Sequence, residues 1–418
     1  MRSVYIIAVS CTAFGKRPDA TFQQLTEEAY LDVLADCGMD RDGSLIEQCW
    51  FGNCGLGNWG QGGIRGQVCF TPLIERGWFP EHVPILNVEG ACATSSLALH
   101  GAWKDVLSGQ TEVSLAIGVE KLISPDVPER GRQTFDGAID QLDPARWRDY
   151  YAHAGEQLGK PFALGPDRTV FMDTYAMQAV WHMHRYGTTR RQIAAGAAKN
   201  HYHGSLNPKA QYRFTLSVDE VLSDREISYP LTRAMCSPLS DGAAAAIVCS
   251  EAALANFSSS VRDRAVKVRA SALSGGKYRK LDEPGLSMHA ARKAYEASGL
   301  RPGDIDLVEL HDATSFSELF QLEMLGFCEP GRSGAFVEAG ETTLGGRLPV
   351  NVSGGLVSKG HPIGATGLSM MYEVTRQLRD EAGPSQVKNA RIGLIENGGG
   401  VMGFDEAVCA VTVLERSV

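Results

Sequence analysis

The chain has 418 residues and a formal net charge of -9, with 44% hydrophobic, 21% charged and 8% aromatic residues. That is the make-up of a folded globular protein with room for two or more core units, and it excludes global disorder. The acidic balance without basic blocks argues against a nucleic-acid partner, and no apolar run is long enough to span a bilayer. The ten cysteines are scattered rather than spaced as a disulfide framework. Cys49 and Cys54 are too far apart for a zinc knuckle, so no metal is expected. No signal-peptide pattern opens the chain, which makes a reducing cytoplasm the expected location.

Residues 4–10 read as a buried strand, and 21–37 as an amphipathic helix that Gly38 ends. A second strand is expected over 44–51, followed by a glycine-rich stretch, 52–66. Within it, Gly55-Leu-Gly-Asn-Trp-Gly60 has the form G-x-G-x-x-G. It lies outside the first strand–helix turn, and no ribose-binding acid clearly follows, so it reads as a tight turn rather than a dinucleotide site. Residues 83–88 predict a short buried strand leading into Asn87 to Gly101. There Cys92 sits among Gly90, Ala91 and Ala93, where an apolar helical pattern begins (Leu97, Leu99, Trp103, Val106). A thiol at a strand-to-helix turn meets free N–H groups and the positive end of the helix dipole, which favour thiolate. Its small neighbours leave room for an acyl group. The plain alternative is one more buried cysteine.

A strand over 113–119 follows, and then the rhythm breaks. Residues 123–235 gather Pro, Arg and Tyr around helical patterns near 173–185 and 188–200, which reads as an excursion from the core. Asp241 to Cys249 returns as a small-residue strand. The second half then repeats the first in order. Residues 290–299 parallel 28–38, 304–310 parallel 44–51, and 391–395 parallel 113–119. The strand–turn–helix 348–378 parallels the one around Cys92. The expected division is therefore 1–122 with 236–256 as one half, 123–235 as the excursion, and 257–418 as the other half. A pseudo-dyad between the halves would bring Cys92 and His361 to one pocket.

Three corners of the second half carry chemistry. Gly354-Gly-Leu-Val-Ser-Lys-Gly-His-Pro-Ile-Gly-Ala-Thr-Gly367 is not a P-loop, and it holds His361 in stiff backbone. His311-Asp-Ala-Thr314 closes a strand and can present an imidazole. Glu396-Asn-Gly-Gly-Gly400 offers a carboxylate beside free N–H groups.

Gly90-Ala-Cys92, His311-Asp-Ala313, Gly360-His-Pro-Ile-Gly364 and Glu396-Asn-Gly-Gly-Gly400 together resemble the four active-site corners of the thiolase superfamily. The sterol-carrier-protein type, whose second corner begins His-Asp, is the nearest pattern. The resemblance covers essentially the whole chain. It implies the thiolase-like α/β fold, two similar βαβ-type halves in a five-layered α/β/α/β/α core, assembled as a homodimer or a dimer of dimers. The stretch 52–70 and the strand after Cys92 would form the interface.

The resemblance also implies roles. Cys92 is the nucleophile that takes the acyl group as a thioester, His361 the base that activates it, and His311 the holder of the thioester oxygen of the second substrate. The N–H groups of Cys92 and Gly398 form the oxyanion hole. Ser237 meets the pantetheine arm, and Ser353 and Gly400 are further substrate-contacting positions. No resident cofactor is implied, because coenzyme A enters as the substrate thioester. Thiolases also use a second cysteine as acid/base, and this chain has Glu396 and Ala313 in the two positions that supply it. Either Glu396 takes over proton transfer or it is a structural carboxylate. The implied activity is acyl transfer that makes or breaks a carbon–carbon bond, with acyl-CoA or 3-oxoacyl-CoA as substrate. Alternatives are a phenolic acceptor, retro-aldol cleavage of a 3-hydroxyacyl-CoA, or a non-catalytic role, with an OB-fold/zinc-ribbon protein as possible partner.

Overall fold

The computed structural model describes residues 2–165 and 167–417. Its strands are β1 (Val4–Cys11), β2 (Gln48–Gly52), β3 (Ile85–Val88), β4 (Val113–Glu120), a hairpin β5 (Glu226–Ser228) and β6 (Leu231–Thr232), β7 (Gly242–Ser250), β8 (Val266–Gly275), β9 (Leu307–Leu310), β10 (Ile392–Gly399) and β11 (Val408–Arg416). Outside the hairpin they form one ladder in the order β3-β2-β4-β7-β1-β8-β11-β10-β9.

The ladder is two copies of one pattern. In the first, β3 and β4 flank β2 in parallel, and β7 and β1 continue antiparallel. In the second, β9 and β10 are parallel, and β11 and β8 continue antiparallel. The place of β3 is taken there by a single parallel bridge, Val308 to Val350. The copies join through only two residue pairs of β1 and β8, Tyr5 with Lys267 and Ile6 with Val266.

Helices fill three layers around these sheets. The helix Phe22–Cys37 covers the outer face of the first copy through Ile7, Phe51, Leu115 and Ile247. The helix Leu286–Ser298 covers the outer face of the second through Val308, Leu394 and Val411. Between the copies lie Thr94–Ser108 and Thr366–Leu378, which bury Leu99, Val106, Leu368 and Val374 against both. Each such side chain contributes roughly 1.5–3 kcal/mol when fully buried. Strands β4 and β7 are covered on both faces, which explains their unbroken apolar reading. The run of alanines in β7 lets the central helices lie close.

Local signals place the ends. Thr21 and Gln24 form a capping box at the first helix, and Gly38 ends it in the left-handed region. The glycine-rich stretch is a tight turn over Gly55–Trp59, and Gly55 N–H donates to Glu120 Oε1 at 3.1 Å. The excursion carries four longer helices, Glu129–Asp136, Pro144–Leu158, Val170–Tyr186 and Arg190–Leu206.

Three expectations change. Residues 44–47 precede the strand, with 44–45 in a turn, because Gly43 and Ser44 are held by bonds to Asp40 and Asp42. The strand around 83–88 is half-exposed at the free edge of the sheet, whereas β4, expected at an interface, lies fully inside.

Candidate active site

Cys92 lies in the turn Ala91–Ala93 that leads into the helix Thr94–Ser108. Ala91 takes φ 50, a left-handed conformation rare outside glycine, so Cys92 sits on a strained corner. Thr94 Oγ1 accepts the Gly90 N–H at 2.9 Å, and Gly90 O accepts the Ala93 N–H at 3.1 Å.

From the other copy, His361 brings Nε2 to 3.1 Å from the Cys92 sulfur. Its Nδ1 is 2.8 Å from Thr366 Oγ1, whose hydroxyl proton goes to Pro362 O at 3.1 Å. The threonine therefore accepts, the His361 proton sits on Nδ1, and Nε2 faces the thiol with a free lone pair. The His361 N–H donates to Ser240 Oγ at 3.0 Å.

The His311 ring stands 5.3 Å from the His361 ring, centroid to centroid, and both of its nitrogens are buried without a partner among the described residues. A buried polar ring left open calls for a ligand. The donor atoms of Cys92, His311 and His361 lie within 4.8 Å of one another, a set that a soft divalent ion could also bridge.

Electrostatics makes the resting pair neutral. Burial, then the nearby Glu406, push the Cys92 thiol up to about 12, outweighing the amides of Gly400 and Cys92 that favour its thiolate. Burial, then the His311 ring, push His361 well below its usual range, and burial brings His311 down to about 4. The thiolate expected from the helix dipole is thus overridden by desolvation. The arrangement is a thiol poised to give its proton to a base as an electrophile arrives.

Glu396 accepts the His311 N–H at Oε2, 3.1 Å away, and the Cys409 S–H at Oε1, 3.3 Å away. Burial raises it to about 7. A second thiol is therefore present at this corner, though in β11 and outside any motif. Of the glycine positions, Gly400 directs its N–H at the Cys92 sulfur. Gly398 pairs with Cys409 in the sheet and has Glu406 packed against its α-carbon.

Ser237 lines a groove of about 320 Å³ with Arg132, Phe135, Arg168, Arg233 and Leu239. Its N–H donates to Ala313 O at 3.0 Å, and Phe135 is 6.4 Å from the His361 ring, so the groove opens beside the Cys92–His361 pair. Ser353 is not brought to this site. Its hydroxyl and N–H both donate to buried Glu309, at 2.6 and 3.1 Å. Tyr175 and Glu406, which no motif or periodicity marks, line a small cavity with Gly400.

A buried cysteine against a neutral histidine, beside an open imidazole and an arginine-lined groove, lies where the two copies of the α/β frame meet. The chain matches the thiolase N-terminal domain model over residues 4–218 and the thiolase C-terminal domain-like model over 285–414. It belongs to the thiolase family and is an acyltransferase. It is 37% identical to an acetyl-CoA acetyltransferase of Methanothermobacter thermautotrophicus, over 96% of this chain and 98% of that one. It is 36% identical to sterol carrier protein 2 of Bos taurus, over 97% of this chain and 73% of that one. Among solved structures it resembles an Ltp2-ChsH2(DUF35) aldolase, with TM-score 0.76, 24% identity and coverage of 99% and 98%. It also resembles human mitochondrial 3-ketoacyl-CoA thiolase in complex with CoA, with TM-score 0.68, 16% identity and coverage of 100% and 98%. No helix among the described residues is long and apolar enough to cross a membrane.

Proposed function

We propose that the protein transfers an acyl group from a coenzyme A thioester through an acyl-Cys92 intermediate, making or breaking a carbon–carbon bond next to a carbonyl. The observation that carries this reading is the 3.1 Å contact between the Cys92 sulfur and a histidine nitrogen whose tautomer is fixed by Thr366. His361 takes the thiol proton, and the N–H groups of Cys92 and Gly400 receive the oxyanion. Each such donor is worth roughly 3–4 kcal/mol of barrier when buried and preorganised. His311 receives the thioester oxygen of the second substrate. The arginines of the groove suit the phosphates of coenzyme A, and Ser237 suits its pantetheine arm.

Intact-protein mass spectrometry with acetyl-CoA and 3-oxoacyl-CoA tests this. Wild type is expected to gain the acyl mass, and Cys92→Ser and Cys92→Ala to gain none. The same mass on another residue of either variant refutes the assignment. A retro-aldolase with an accessory subunit would instead cleave 3-hydroxyacyl-CoA and leave Cys92 unmodified.

The free edge of β3 also supports a dimer. An unpaired edge templates pairing with a second chain, and Ile64 beside it is 64% exposed in the left-handed region. Sedimentation is expected to give a dimer at micromolar concentration. A monomer there speaks against it.

A further inference from the structure

Gly400, whose N–H reaches the Cys92 sulfur, also lines a small cavity with Tyr175, Ser317, Gln321, Phe404 and Glu406. The cavity holds about 20 Å³, room for one water-sized group. Three buried acids, Glu396, Asp405 and Glu406, surround this region with one buried cation, Arg279. Arg279 Nε lies 3.7 Å from Asp405 Oδ2, an ion pair without a hydrogen bond, while its other nitrogens donate to Gln178 and to backbone carbonyls. Glu396 accepts at both oxygens, from His311 and Cys409. Glu406 accepts at Oε1 from Gln321, at 3.2 Å, and no other described side chain holds its Oε2. Burial and the charges of Glu396 and Asp405 keep Glu406 protonated well above the usual carboxylate range.

We propose that Glu406, rather than Glu396, exchanges a proton with the substrate's α-carbon, working from the cavity that Tyr175 and Gln321 line beside Gly400. This rests on the acyl-Cys92 reading. In the cleavage direction, His361 takes the Cys92 proton and the sulfur bonds to C3 of the 3-oxoacyl-CoA. The C2–C3 bond breaks, its electron pair goes to C2, and Glu406 gives C2 its proton, releasing acetyl-CoA. Glu406 regains a proton from the thiol of the entering coenzyme A. That thiolate bonds to the acyl carbon, and Cys92 leaves and recovers its own proton from His361. Glu396 is then a positioning residue, holding the backbone of His311.

The test compares two rates in each variant: acylation of Cys92 by acetyl-CoA, and uptake of deuterium from heavy water into the acetyl-CoA methyl group. Positioned acid–base catalysis is worth roughly 10²–10⁴-fold. Glu406→Gln is therefore expected to lose exchange about 100-fold more than it loses acylation. Glu396→Gln is expected to slow both together by loosening His311. Glu406→Asp keeps the acid one methylene back. It is expected to lose exchange about tenfold more than acylation, and it decides the matter if the Gln variant is insoluble. A Glu406 variant with the wild-type ratio, or a selective loss of exchange in Glu396→Gln, overturns the proposal. Wild type that never acylates overturns the underlying reading instead.

Discussion

Replacing His361 with Asn is expected to slow acylation of Cys92 by about 10⁴-fold at pH 8, and to make the rate climb tenfold per pH unit. The size follows from the sulfur's surroundings. With its thiol pushed up to about 12, only about one molecule in 10⁴ holds a thiolate four pH units lower. In the wild type His361 removes the proton during attack, so that fraction does not limit the rate. In the variant it does, and each pH unit multiplies it by ten. The wild-type profile should stay flat through neutrality, because burial and His311 keep His361 neutral there. Acylation followed by mass spectrometry from pH 6 to pH 9 separates the two. A flat profile in His361→Asn, or a loss under tenfold, rules out the base.

The second large effect is expected from Gly399→Ala, which leaves every titrating group in place. A methyl on Gly399 would stand 2.5 Å from the Ala93 nitrogen and 2.9 Å from the Cys92 nitrogen, and closer still to Gly90 O. All three are backbone atoms of the nucleophile's turn, so the turn must retreat. A 1 Å displacement at a reacting group can cost about 100-fold in rate, and overpacking costs roughly 1–3 kcal/mol of stability. Both losses are expected, the first in acylation rate and the second in the urea midpoint. Wild-type acylation by the variant would show that the turn is not held by this contact.

The corners at Cys92, His311 and His361 were legible because stiff, small-residue motifs carry them. The ordered repeat along the chain was enough to set Cys92 opposite His361. What stayed hidden depended on burial. The dipole argument for a Cys92 thiolate is sound for an exposed turn, but this sulfur is enclosed. The resemblance made Ser353 a substrate contact, yet Glu309 takes both of its donors. Glu406 lies in the loop between β10 and β11, and Tyr175 on a helix of the excursion. Only the folded chain shows that they line one small cavity with Gly400. The strand order within each half could not be read either, since β3 and β4 are both short apolar runs and differ only in their neighbours.

The two copies of the fold are stitched along β1 and β8 by two residue pairs, and across the central helices by bonds such as Leu368 N–H to Ser95 Oγ at 3.0 Å. The sulfur belongs to one copy and the histidine in contact with it to the other, 269 positions away. Neither copy alone holds both groups, so the Cys92–His361 contact acts as a coincidence detector for the docking of the two copies. A change at the seam that moves the copies apart by an ångström strands a thiol that cannot ionise by itself. Reactivity of Cys92 is thus a gauge of how tightly the two halves are closed, readable far from either corner.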